Sequence, residues 1–153
     1  MDNSFDIGSV WFDAVMASVA VNDFCQEQFG RLPLVQFGED PRNKVGERDL
    51  PYILIEPVGD KDGLEVERTQ HELVVSIGVE SDGVEEIEGG RGVRCAAYTI
   101  LRDFERLVHE ALSETDYAPA TASSGTMRLG HKYFERNTLY VVRQEAAIGF
   151  YVE

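Results

Sequence analysis

The spacing of apolar positions changes along the chain, and each change of period marks an element. From Val10 to Phe29 the period is helical. The first half of this stretch is apolar on nearly every side: Val10, Trp11, Phe12, Ala14, Val15, Met16, Ala17, Val19, Ala20 and Val21. Ser9 fits a helix N-cap, and Gly30 fits the left-handed residue that closes a helix. A helix apolar on several faces is covered on more than one side. The second cover is either the interior of the same domain or another copy of the chain. Val10, Trp11, Phe12 and Val15 are therefore candidate self-association residues.

The period then shortens. Leu34–Phe37 reads as a short strand after Pro33, and Gly38–Asp49 as a charged loop with Pro41 and Gly46. Tyr52-Ile53-Leu54-Ile55 has no polar face, the mark of a buried strand. Gly59-Asp60-Lys61-Asp62-Gly63 is turn chemistry. Beyond it Leu64–Glu80 alternates, with Leu73, Val75, Ile77 and Val79 on one face and Glu72, Ser76 and Glu80 on the other. The pattern predicts a long hairpin of Tyr52–Val58 with Leu64–Glu80, its tip at Glu65, Glu67 and Arg68 in solvent.

Ser81–Gly92 is acidic and glycine-rich and reads as a mobile connector. Arg91–Leu112 follows the helical repeat with a single apolar stripe (Val93, Ala97, Ile100, Leu101, Phe104, Val108 and their neighbours) and a charged opposite face. Ala118–Gly125 reads as a loop, Thr126–Phe134 as a strand and Glu135–Asn137 as a turn. Thr138–Val152 alternates, placing Tyr140, Val142, Ala146, Ile148, Phe150 and Val152 on one face with Gln144. Its length predicts a bend near Glu145–Ala147. The order helix, strands, helix, strands predicts one domain over residues 1–153. Its fold class is α+β, a mostly antiparallel sheet with a long hairpin and two main helices packed on one face.

A chain of 153 residues is one domain's worth, so composition agrees with that count. Charge narrows the function. There are 14 Lys+Arg against 28 Asp+Glu, a net −14. Such a chain repels phosphate backbones and anionic membrane surfaces, which argues against a specific nucleic-acid or membrane partner. The apolar run Val10–Val21 falls short of the roughly 20 residues a membrane span needs. Met1-Asp2-Asn3-Ser4 lacks the basic start of a signal peptide, so the expectation is a protein that stays in a reducing cytosol. Cys25 and Cys95 lie too far apart in sequence for a metal motif and are expected to be two buried, reduced thiols in helices.

The chemistry-bearing residues do not assemble into a known motif. His71, His109 and His131 lack metal-ligand spacing. Asp60-x-Asp62 starts like a calcium loop, but Leu64 and Glu65 stand where the loop needs an oxygen ligand and a glycine. Gly89-Gly90-Arg91-Gly92 lacks both the phosphate-loop ending and the dinucleotide spacing. Ser123-Ser124-Gly125 is no nucleophile elbow. The expectation is no catalytic residue, no cofactor and no metal. The cluster Glu80, Asp82, Glu85, Glu86 and Glu88 is too glycine-rich to hold an ion in place. It is a candidate acidic channel or partner surface.

Leu50-Pro51-Tyr52-Ile53-Leu54-Ile55, the alternating His71–Val79, the helix Arg91–Leu112 and the terminal Ala147-Ile148-Gly149-Phe150-Tyr151-Val152 follow one another along the chain as a pattern of elements without a diagnostic motif. In that order of elements the chain resembles the tail terminator family of long-tailed bacteriophages, which includes the minor tail protein U type. The resemblance implies a structural tail-completion protein from a phage or prophage, with no catalytic residues. It implies a homo-oligomeric ring, hexameric in the family, that caps the tail tube. The ring's partners would then be itself, the tail tube protein and the head-tail connector protein, and DNA would pass through it. Its place would be the host cytoplasm during assembly and the virion tail afterwards. The competing expectation is a small cytosolic α+β domain that binds a ligand or acts as an enzyme, with Gln144 as the best inner-face polar group.

Overall fold

The computed structural model describes residues 2–61 and 68–145. The fold is α+β, with three helices packed against one face of a mostly antiparallel five-stranded sheet. The helices are α1 (Ser4–Ala17), α2 (Val19–Phe29) and α3 (Ala96–Ser113). The main sheet contains β1 (Leu34–Phe37), β2 (Tyr52–Lys61), β3 (Arg68–Glu80), β6 (Thr121–Arg128) and β7 (Tyr133–Glu145), in the order β1-β2-β3-β7-β6. Only β1 and β2 run parallel. A separate hairpin of β4 (Val84–Ile87) and β5 (Gly92–Cys95) stands between β3 and α3.

The expected first helix is two helices. Ser18 adopts an extended backbone conformation, and its Oγ accepts from the Val21 N–H as the N-cap of α2. The axis bends by 58° there. A serine between two apolar turns offers the next helix a cap and ends the previous one. The chain also turns helical earlier than Ser9. Asn3 caps α1 and Asp6 returns the bond to the Asn3 N–H, a capping box. Gly30 closes α2 in the left-handed conformation, as its position predicted. Among the described residues no single helix is long and apolar enough to cross a membrane.

The long hairpin is present. Tyr52 pairs with Gly78, Ile53 with Ile77 and Ile55 with Val75, with an irregularity between Pro57 and Gly59. Its expected tip, Glu65 and Glu67, lies outside the described residues, as do the bend near Glu145–Ala147 and Ala146, Ile148, Phe150 and Val152 of the last strand. Leu73, Val75, Ile77 and Val79 all face the helices and are buried. They meet Ile7, Trp11 and Val15 of α1, Val21 and Cys25 of α2, and Leu101, Phe104, Val108 and Leu112 of α3.

Tyr52-Ile53-Leu54-Ile55 is apolar on both faces because both are covered. Ile53 and Ile55 join the main core. Tyr52 and Leu54 join a second, smaller cluster with Leu50 and Tyr133 on the opposite face, where Val45 of the charged loop packs over them. The Tyr52 ring lies flat across Gly78, where a Cβ would sit 2.3 Å from the ring. A glycine is required at that crossing.

Four further expectations are corrected. The connector Ser81–Gly92 is not a loop throughout, since Val84–Ile87 pairs with Gly92–Cys95. The third helix consequently starts at Ala96 and not at Arg91. The expected turn Glu135–Asn137 lies inside β7, and residues 129–132 make the turn. Thr121–Gly125, read as loop from its small polar residues, is strand. It forms the sheet's outer edge, where there is no core to demand large side chains.

Candidate functional site

Trp11 and Val15 are fully buried. The Trp11 ring meets Tyr140 edge-on, 5.7 Å between centroids, and its Nε1–H donates to the Tyr117 carbonyl at 3.1 Å. Phe12 is partly buried against the same core, and Val10 is exposed. Of the four candidate self-association residues, Trp11 and Val15 are thus spent on the chain's own interior and offer nothing to a second copy. α3 and the segment at Tyr117 cover this helix over Trp11 and Val15, while Val10, Met16 and Val19 stay exposed.

The five acidic candidates divide. Glu80 ends β3 and pairs with Lys132 at 3.1 Å. Asp82 lies just before β4. Glu85 and Glu86 stand exposed on β4, and Glu88 starts the turn to β5 with a left-handed φ of 55°, held by Arg91 at 3.0 Å. Val84 and Val93, which share one face of this two-stranded ribbon with Glu86, are also exposed. The segment is therefore an ordered acidic hairpin with apolar flanks.

The inner face holds a polar network around His71, and the alternation flagged only Gln144 of it. The His71 ring, nearly fully buried, places Nδ1 2.6 Å from Asp60 Oδ1 and Nε2 3.0 Å from Gln144 Oε1. Asp60 in turn accepts from the Ser4 N–H at 2.7 Å and the Ser4 hydroxyl at 2.9 Å. Although burial opposes ionisation of Asp60, the bonds from His71 and Ser4 outweigh it and hold its carboxyl below the ordinary value. The network fastens the N-terminus of α1 to the sheet. Ser4 contacts the carboxylate and not the imidazole, so the three do not make a nucleophile–base pair.

On the opposite face the Tyr52 hydroxyl bonds both the Tyr133 hydroxyl, at 2.6 Å, and the Glu135 carboxylate. These groups floor a cleft of about 400 Å³ that also meets Glu39, Glu56 and Lys44. Partial burial, followed by the charges of Glu39 and Glu135, raises the Glu56 carboxyl above its ordinary value. Among the described residues no group of three or more His, Cys, Asp or Glu is placed to hold a metal ion.

A concavity of about 540 Å³ runs between α3 and the helix side of β6. Tyr98, Arg102, Glu105, Arg106 and His109 line it from α3 at successive turns, and Ala122 and Thr126 face them from β6. Arg136 crosses its floor, bonded to Glu105 and to Thr126 Oγ1. His109 stacks on Tyr140. The stripe at 98, 102, 106 and 109 is legible in the sequence as one side of the helix. Its position over an open edge strand is not.

The two cysteines differ. Cys25 is buried, and burial pushes its thiol up to about 12, whereas Cys95 sits exposed at the start of α3. The expectation of two buried thiols fails at Cys95 because the helix begins one residue later. A thiol-reactive dye on the native protein is expected to label one site, Cys95, and to reach Cys25 only in denaturant. Equal labelling rates would contradict this placement.

No protein-family model matches the chain, and no curated protein matches it.

Proposed function

We propose that the chain is a structural subunit that assembles with copies of itself, and that its setting is the tail of a phage or prophage. There it forms a terminator ring on the tail tube and meets the head-tail connector. One observation carries the self-assembly part. β6 is an eight-residue strand at the sheet's edge, and every one of its residues is exposed. Edge strands are normally guarded by charge, proline or a bulge. Thr121–Met127 contains no charged residue and no proline, in a chain of which 27 % is charged. An unguarded edge is a template for another chain's backbone. The tail setting rests on the order of elements. A ligand-binding or enzymatic reading calls for convergent polar groups left free inside an apolar face. Here Asp60 and Gln144 on the inner face are both engaged by His71.

The Leu129 N–H donates to the Tyr133 carbonyl. By the two-residue alternation of antiparallel ladders, the Ala122 N–H points away from β7 toward the free edge. Ala122→Pro removes that donor without breaking a ladder bond. Gly125→Lys adds a guard charge at a position with open space around it. Each variant is expected to stay folded and to weaken self-association at least ~10-fold, about 1.4 kcal/mol, by sedimentation. Rings seen by electron microscopy with purified tail tubes should disappear. Tails completed at normal length by both variants would overturn the edge as the assembly surface. Tubes left uncapped by the unaltered protein would overturn the terminator assignment.

A further inference from the structure

The groove and the acidic hairpin are complementary parts of one molecule. The groove between α3 and β6 is lined by three arginines and one glutamate. The whole chain carries 28 acids to 14 bases, so this lining reverses the sign of its surroundings. Arg102 and Arg106 are held only by exposed partners, Asp103 at 3.2 Å and Glu110 at 3.1 Å. Ion pairs in that setting are worth little and exchange readily. Along the same groove β6 offers a free backbone edge. The hairpin supplies the converse. β4 is a short exposed strand bearing Glu85 and Glu86, which no ion pair engages among the described residues, and beside them Val84 and Val93 expose apolar side chains.

We infer that the β4–β5 hairpin of one copy docks in the α3/β6 groove of the next, β4 lying along the β6 edge and its Glu86, on the strand face it shares with Val84 and Val93, meeting Arg102 and Arg106. This rests on the self-assembly reading above and names the element that fills the β6 edge. The recognition mode is strand addition, where backbone bonds supply affinity and side chains beside the edge supply specificity. The hairpin is no part of its own molecule's groove lining, so each copy can give a hairpin and receive one. A contact between two different patches is head-to-tail, the kind that closes into rings. A volume of about 540 Å³ matches the clefts that hold small ligands and side-chain clusters.

The test uses charge reversal on the full chain. R102E/R106E blocks the groove and E85R/E86R blocks the hairpin. Each alone is expected to reduce self-association at least ~10-fold, measured by sedimentation. Mixed, the two should co-assemble in alternation and recover the large species that neither forms alone, because each hairpin then meets a groove of opposite charge. All four substitutions in one chain should restore association. Raising salt from about 0.1 M to about 1 M should weaken the unaltered assembly, as the Debye length falls from ~10 Å to ~3 Å. Circular dichroism checks the fold, and R102Q/R106Q replaces R102E/R106E if the latter does not fold. Association unchanged in both single-site variants, as a β6-to-β6 dimer would give, overturns the hairpin–groove contact while self-assembly stands. A mixture that does not co-assemble overturns the contact in the same way. Unaltered protein that stays monomeric at every concentration, with and without tail tubes, overturns the self-assembly reading and this contact with it.

Discussion

Trp11→Ala is expected to lower the unfolding free energy by about 3–5 kcal/mol, the range for emptying a large aromatic site in a packed core. Trp11 has no exposed surface, touches Tyr140 edge-on and satisfies the Tyr117 carbonyl. The substitution leaves a cavity where α1, α3 and the sheet converge, and it leaves that carbonyl without its donor. Trp11→Asp is expected to prevent folding altogether, because a carboxylate would be buried without a partner. Urea unfolding followed by circular dichroism measures the first. Phe5→Ala is the control, since Phe5 lies on the same helix but is 62 % exposed, and should change stability by less than about 0.5 kcal/mol. The loss at Trp11 is expected at every protein concentration, since it arises within one chain. A loss below about 1 kcal/mol, or one seen only where the protein self-associates, would return Trp11 to the assembly surface.

Asp60→Ala should cost about 3 kcal/mol, because hydrogen bonds to a charged group contribute ~1.5–3 kcal/mol each and do not add fully. Three are lost together, two from Ser4 and one from His71. The buried imidazole is left facing an empty site, and α1 loses its tie to β2. A pH signature separates this from a packing loss. The folded Asp60 carboxyl lies below its ordinary value, so the folded state binds its proton less readily than the unfolded chain does. The stabilisation is therefore complete above the unfolded carboxylate value, about pH 4. It is lost as pH falls through the lower folded value. Unaltered protein should lose stability steeply below about pH 4, and Asp60→Asn should flatten part of that fall. An Asp60→Asn curve that runs parallel to the unaltered one down to acid would show that Asp60 is not stabilised as described.

Much of the architecture is written in local periodicity. Leu73, Val75, Ile77 and Val79 had to share a face because strand side chains alternate, and a burial demand on one face then fixes the strand's register. The single stripe of α3 had to lie on something apolar. Gly30 had to end a helix. These follow from backbone geometry, which acts within a few residues and is therefore legible in them. Other features were available locally but were outweighed by neighbouring signals. The Asn3 and Asp6 capping box and the Ser18 cap were hidden by the apolar run between them. Gly92–Cys95 read as helix because the helical stripe continued through it, while its strand partner lay in a segment whose glycines suggested a loop.

What only the tertiary structure decided is which surfaces meet. Sequence alone cannot say whether the second apolar side of Val10–Val21 faces its own core or another subunit, since burial has the same periodic signature in both. Contacts distant in the chain decide it for Trp11, where Tyr117 and Tyr140 close over the ring, while Val10, Met16 and Val19 remain exposed. The His71–Asp60–Ser4 network joins three elements through residues 4, 60 and 71, and no spacing rule announces such a set. β6 looked like a loop because its small residues carry little strand propensity, and it is held by the ladder with β7. The groove exists only because α3 crosses β3 and β7 and stops short of β6, leaving an edge strand and a row of arginines side by side. Charge and periodicity are properties of the chain, but complementarity is a property of two surfaces in space, and the fold alone creates those surfaces.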